Sequence, residues 1–136
     1  MAEATSAIPI GVYPYLTVQG GKAAVDFYTR AFGANEEFRT YGEDGERIMH
    51  ARLRINGMAV LLSDHFAEFH GGAPAPAPAG IMLHLEVDDA DRWFKRAADA
   101  GATVTMPLQD MFWGDRYGQL KDPFGHTWSI GMPIKK

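Results

Sequence analysis

The chain has 136 residues, 46% of them hydrophobic, enough for one domain with a real core and too few for two that fold independently. A net charge of −4 and a pI near 5.7 leave no electrostatic footprint for nucleic acid or an anionic membrane surface. Cysteine is absent, which excludes disulfides, thiolate ligands and a cysteine nucleophile.

The first residues, MAEATSAIPIG, lack the basic start and apolar core of a signal peptide, and no run approaches membrane-spanning length, so a cytoplasmic protein with a short irregular lead is expected. From Val12 to Val18, Tyr13, Tyr15 and Thr17 alternate with Pro14, Leu16 and Val18, the pattern of a strand with one polar-aromatic face. Pro14 cannot donate to a ladder, which places it at an edge or near the strand's start. The period then changes. Ala24, Phe27, Tyr28, Ala31 and Phe32 fall on one face of a helix over Lys22 to Phe32, and Gly33 stops it.

Three strand-like runs follow: Glu36 to Tyr41, Arg47 to Ile55, and Met58 to Ser63. Gly42-Glu43-Asp44-Gly45 punctuates the first junction and Asn56-Gly57, a type I′ hairpin dipeptide, the second. In the middle run Ala51, Leu53 and Ile55 share one face, and His50, Arg52 and Arg54 the other. From Gly71 to Gly80 the sequence GGAPAPAPAG reads as an extended, polyproline-like linker.

Past the linker, Leu83, Leu85 and Val87 alternate with Met82, His84 and Glu86. Asp88 or Asp89 then caps a helix through Ala100, with Trp93, Phe94, Ala97 and Ala98 on its buried face. The segment Met106 to Met132 reads strand, loop, strand, tight turn, strand. Asp122-Pro123-Phe124-Gly125 is turn chemistry joining Tyr117–Lys121 to His126–Met132, and Phe112-Trp113-Gly114-Asp115-Arg116 packs contact-making side chains into the loop before it. The halves repeat: Leu16-Thr17-Val18 matches Leu85-Glu86-Val87, and Gly33-Ala34 matches Gly101-Ala102. Each half is one β-α-β-β-β unit that cannot bury its sheet alone.

The spacing P-x-Q-x-x-FWGDR-x-G-x-L-x-DPFGH-x-W resembles the C-terminal signature of the PhnB-like branch of the vicinal-oxygen-chelate superfamily, which includes glyoxalase I, bleomycin-resistance proteins and extradiol dioxygenases. The likeness extends over nearly the whole chain through PYLTV, AVDFYTRAFGA, IMHARLRINGMAVLLSD and LHLEVDDADRWFKRAADAGATV. It implies an α+β fold of two tandem β-α-β-β-β modules, about 12–66 and 81–132, in a single domain spanning 1–136. They would form a half-open mixed β-barrel with helices outside and the site on the concave face. Members usually pair, so a homodimer is expected.

In metal-dependent relatives, ligands come one from each of four strands. Carried over by resemblance, those positions fall on Tyr13, Leu62, Met82 and Ser129, none of them a credible donor for a divalent ion. A displaced set of Asp64, His84 and His50 is the alternative, although two residues along a strand move a donor by roughly 7 Å. Parity would line the concave face with Tyr13, Tyr15, Thr17, His50, Arg52, Arg54, Val60, Leu62, Asp64, Met82, His84, Glu86, Thr127 and Ser129. The ligand-binding candidates are Tyr13, Tyr15, His50, Arg52, His84, Trp113 and Arg116, expected in one cavity. Trp128 is assigned to the core, and His65, His70 and His126 to turns and loops.

Three functions fit. A metal-free, cofactor-free module could hold an aromatic or amphipathic small molecule. An enzyme of lyase, isomerase or dioxygenase type could use His50 or His84 as a base, with or without a displaced metal. A structural domain could carry a vestigial pocket. The first is the reading adopted, with a small molecule as partner and neither nucleic acid nor membrane.

Overall fold

The computed structural model describes residues 8–134. The irregular lead expected over the first residues lies largely outside that range. Strand β1 is Tyr15–Val18, helix α1 Gly21–Phe32, and strands β2, β3 and β4 are Asn35–Tyr41, Ile48–Ile55 and Met58–Asp64. A short 3-10 turn, Ala67–Phe69, follows. Strand β5 is Met82–Glu86, helix α2 Ala90–Ala100, and β6, β7 and β8 are Thr103–Asp110, Asp115–Lys121 and Thr127–Pro133. The fold class is α+β, two tandem β-α-β-β-β modules, as the sequence implies. None of the described helices is long and apolar enough to cross a membrane.

Chain contacts cluster into two units, one of Gly33–Pro76 with the chain before Arg30, the other of Arg30–Phe32 with Ala77 onward. The first unit holds a sheet of order β1-β4-β3-β2, in which β1 runs parallel to β4 and the other pairs are antiparallel. Its buried face is built from Leu16, Val18, Ala51, Leu53, Ile55, Val60 and Leu62. The hairpin Asn56-Gly57 takes φ of 50° and 86°, so Ile55 stands opposite Met58, Leu53 opposite Val60 and Ala51 opposite Leu62.

Strand β1 starts three residues later than its alternation suggests. Without an N–H, Pro14 joins only through its carbonyl, which accepts from Leu61 N at 2.9 Å, and regular pairing begins at Tyr15. Helix α1 has no side-chain cap of its own because its N-cap is Gly20, in a left-handed conformation. Asp64, at the end of β4, supplies one through space. Its Oδ1 accepts from Gly20 N and Gly21 N, both at 2.9 Å, and its Oδ2 from Ile48 N at 2.7 Å. A Cβ at position 21 would stand 2.5 Å from that carboxylate, so only glycine fits there.

The second unit repeats the pattern with order β5-β8-β7-β6. Asp89 caps α2 by accepting from Arg92 N, and Phe94 presses onto the sheet where Gly118 leaves room. Trp128, 1% exposed, is core as expected, pairing in register with Leu83 and Leu120. Asp122 is also buried. Its Oδ1 accepts from Phe124 N and His126 N, and its Oδ2 from Trp128 Nε1 at 2.8 Å, which locks the DPFG turn to the indole.

Candidate functional site

In each sheet the residues between the buried positions form a second, polar face. On the first sheet, register places Tyr15 beside Leu61, Leu61 beside Arg52, and Arg52 beside Phe38. Thr17 and Ser63 continue that face one step along. A bulge at Met49 lets His50 pair with Thr40 while Ile48 pairs with Tyr41, and turns the imidazole toward Tyr15. Tyr15 Oη lies 2.7 Å from His50 Nδ1, and the Phe38 ring stands 5.7 Å from the same imidazole. Arg52 Nε is 3.2 Å from Glu37 Oε1, and Arg54 grips the same carboxylate through Nε at 2.8 Å.

These neighbours decide the charge states. Burial, and after it the Arg52 guanidinium, hold His50 below its ordinary value of 6.5, while burial pushes the Tyr15 phenol up. The pair is therefore a neutral phenol against a neutral imidazole at pH 7. A phenol is the better donor and an imidazole nitrogen the better acceptor, so Tyr15 donates to Nδ1 and the ring proton sits on Nε2. The Arg54 hydrogen bond is the main cause holding Glu37 below its usual range.

On the second sheet, Met82, His84 and Glu86 pair with Thr127, Ser129 and Gly131, and Tyr117 pairs with Gly131 on the other side. His84 is held at both nitrogens: Nε2–H donates to Glu86 Oε1 at 2.9 Å, which leaves Nδ1 to accept from Ser129 Oγ at 2.7 Å. Its ring stacks 6.0 Å from Tyr117, and Trp113 meets Tyr117 edge-on at 5.7 Å. Trp113 is 51% exposed and donates Nε1–H to Asp115 Oδ2 at 3.0 Å. A run of rings from His84 through Tyr117 to Trp113 thus covers this polar face.

Several expectations need correction. Tyr13 precedes β1, and its hydroxyl donates to Pro9 O at 2.6 Å. Leu62 and Val60 lie on the buried face, and Leu61 and Ser63 take the polar one. Asp64 points inward with both oxygens spent on backbone amides, so it cannot donate to a displaced metal with His50 and His84. Arg116 is on the helix side of its sheet: it alternates with Tyr117, reaches Asp91 of α2 at 2.9 Å and binds Asp110 at 3.0 Å. Those two acids satisfy its guanidinium. Tyr117 and Phe38, neither a site candidate from the sequence, stand on the polar faces instead; their alternation with Gly118 and with Arg39 was the available signal.

The structure thus brings Tyr15, His50 and Arg52 together in the first unit, and His84 together with Trp113, through Tyr117, in the second. Of the positions that carry metal in relatives, Tyr13 and Ser129 are hydroxyls engaged within the chain, Leu62 is packed in the core, and Met82 Sδ lies 3.6 Å from the Tyr117 hydroxyl. That set does not fit a divalent ion, which needs imidazole, carboxylate or thiolate donors on one point. Among the described residues no three His, Asp or Glu side chains form such a group.

A model of the Glyoxalase/Bleomycin resistance protein/Dioxygenase superfamily matches residues 12–130. An uncharacterized protein of Mycobacterium bovis is 46% identical over 127 residues, which is 90% of this chain and 83% of its own. Among solved structures, protein PA1353 from Pseudomonas aeruginosa superposes with a TM-score of 0.74 at 27% identity, over 93% of this chain and all of its own. The PhnB protein from Bacillus cereus gives 0.66 at 20% identity, over 89% of this chain and 98% of its own, a likeness of fold alone.

Proposed function

The chain belongs to the Glyoxalase/Bleomycin resistance protein/Dioxygenase superfamily, and we propose that it is a small-molecule-binding member that works without a metal and holds an aromatic or amphipathic ligand. The FWGDR and DPFGH segments support placing it in the PhnB-like branch. The observation that carries the reading is the chemistry of the two polar faces. Each presents aromatic rings around a fixed imidazole, Tyr15 and Phe38 about His50, Tyr117 and Trp113 about His84. Flat rings supply contact area at low entropic cost, and Arg52 and the His50 Nε2–H supply donors for an anionic or hydrogen-bonding group.

The enzyme alternative finds less support. Ser129, His84 and Glu86 align as a hydroxyl, imidazole and carboxylate do in acyl transfer, but Ser129 is 1% exposed and its Oγ is out of reach of any substrate. The arrangement orients the His84 ring and leaves it no nitrogen to act as a base. His50, with Nδ1 accepting from Tyr15 and its proton on Nε2, is occupied in the same way.

Titration with 2-naphthoate, followed by quenching of tryptophan fluorescence, tests the reading. Replacing Trp113 by Ala is expected to weaken binding by about 1–3 kcal/mol, the scale for truncating an aromatic anchor, with far-UV circular dichroism unchanged. Unchanged affinity in that variant, or no saturable quenching, would refute it. We also propose a homodimer, since β2 and β6 each end a sheet with an open edge.

A further inference from the structure

We propose that the first unit contains a second compartment, an aromatic cleft between the polar face of β1 and β4 and the segment that follows β4, and that it takes a neutral planar ring. The cleft measures about 790 Å³, within the 300–1,000 Å³ or so typical of small-molecule pockets. It is lined by Thr17 and Ser63 of the polar face, by Phe66 and Phe69, and by Pro74 and Pro76 at the start of the proline-rich linker. Neither the superfamily's metal positions nor the ring run of the second unit includes these residues.

Three observations point to an occupant of that chemistry. Flat rings line it in stacked pairs, Phe66 on Phe69 at 5.7 Å and 27°, His65 on His70 at 5.1 Å and 14°. Phe69 is 67% exposed, although it borders a concave surface where a ligand could cover it. The lining also carries no Lys or Arg. Its one carboxylate, Asp64, is engaged by three amides, and the imidazole of His65 donates Nε2–H to Ala73 O at 2.8 Å. An ionic group would find no guanidinium, ammonium or free carboxylate there, and a neutral ring would not need one.

The wall is also built in advance. Arg47 grips Glu68 with two bonds of 3.0 and 2.7 Å, holds Asp44 at 2.7 Å, and lays its guanidinium 4.2 Å over Phe66. Backbone bonds from Phe69 N to Phe66 O, His70 N to Ala67 O and Ala73 N to His70 O fold the segment on itself. A preorganised wall lowers the ordering cost of binding. Tyr15 belongs to both places: it lines the cleft while its hydroxyl binds His50. An amphipathic ligand would thus set its neutral ring in the cleft and its polar end against His50 and Arg52. This rests on the binding function proposed above and names the ring-holding part of it.

The test uses full-length protein and 2-naphthol, neutral at pH 7, followed by NMR at the Met49 methyl and the Cε1–H signals of His65 and His70. Saturable shifts at these groups are expected. Phe69→Ala and the cleft-filling Ala73→Phe should each weaken binding at least fivefold with the remaining amide spectrum retained. Shifts confined to Trp113 and Tyr117, no saturable shift, or undiminished affinity in both cleft variants would overturn the proposal. Should 2-naphthoate bind at Trp113 while 2-naphthol leaves Met49 unmoved, the cleft fails and the wider binding function stands. The converse result supports the cleft and sinks the role given to Trp113.

Discussion

Asp64 offers the sharpest test, because a carboxylate at the end of a strand paired with the histidine-bearing β3 invites assignment as a metal donor and the structure assigns it to the backbone. In Asp64→Asn the shape is kept and one oxygen becomes an NH₂. With that group facing Ile48 N, 2.7 Å away in the native chain, a donor meets a donor and one charge-assisted bond is lost, costing about 1.5–3 kcal/mol. Flipping the amide only moves the conflict to Gly20 and Gly21. The surviving bonds fall from charged to neutral strength, and the N-terminus of α1 loses its compensating charge, together about another 1 kcal/mol. The sum, roughly 3 kcal/mol, is a large fraction of the roughly 5–15 kcal/mol by which native domains are stable. Asp64→Ala, which strands all three amides at a site 7% exposed, should cost more. Urea denaturation followed by circular dichroism reads the totals, and hydrogen exchange should show protection lost first at Gly20, Gly21 and Ile48. A change below about 0.5 kcal/mol in Asp64→Asn, with exchange at those amides unaltered, would refute the capping role.

His50 should titrate below 6.5 by NMR with its proton on Nε2 at neutral pH, and Arg52→Gln, which removes the like charge beside it, should raise that value. Because folding lowers this affinity for protons, the associated stability is present above pH 6.5 and lost as pH falls from there through the folded-state value; a stability curve rising toward acid, with His50 its only variable, would contradict this. Elemental analysis of protein prepared without chelator should find no stoichiometric zinc, nickel, iron or manganese after dialysis, and finding one would move the enzyme reading ahead. Sedimentation at micromolar concentration should show a dimer, and a species of monomer mass alone, 15.0 kDa, would count against it.

How much of this was legible depends on whether a residue's face is marked by its neighbours in the chain. In β3 the marks are plain: Ala51, Leu53 and Ile55 are aliphatic and His50, Arg52 and Arg54 are not, so parity follows from alternation alone. In β4 the run Ala59-Val60-Leu61-Leu62 is aliphatic on both faces, and alternation decides nothing there. The decisive signal was the hairpin before it. A two-residue Asn56-Gly57 turn puts Ile55 opposite Met58, and opposite residues share a face, so Leu62 must join Ala51 in the core. Placing Val60, Leu62 and Asp64 on the concave face gave β4 the wrong parity.

Arg116 failed for a related reason. Placed in a loop, it looked free to reach a ligand; placed on β7, it takes the parity of Gly118 and Leu120, the side on which α2 lies. Charge does not select a face by itself. A charged side chain can stand on the buried side wherever the fold supplies its partners there, and both do: Asp91 and Asp110 receive Arg116, and three amides receive Asp64. Those partners lie 16 to 44 residues away for Asp64, and 25 for the Arg116–Asp91 pair. No local pattern announces them. The cleft beside the proline-rich linker was hidden in the same way, since His65, Phe66, Phe69 and His70 fall in a stretch too short for their i, i+1, i+4, i+5 spacing to mark a helix, and the 3-10 turn with the Arg47–Glu68 clamp turns them into a wall. Sequence periodicity therefore reads the scaffold and the residues that ride on its regular elements, whereas sites assembled from loops depend on long-range ion pairs and hydrogen bonds and are found only once those are seen.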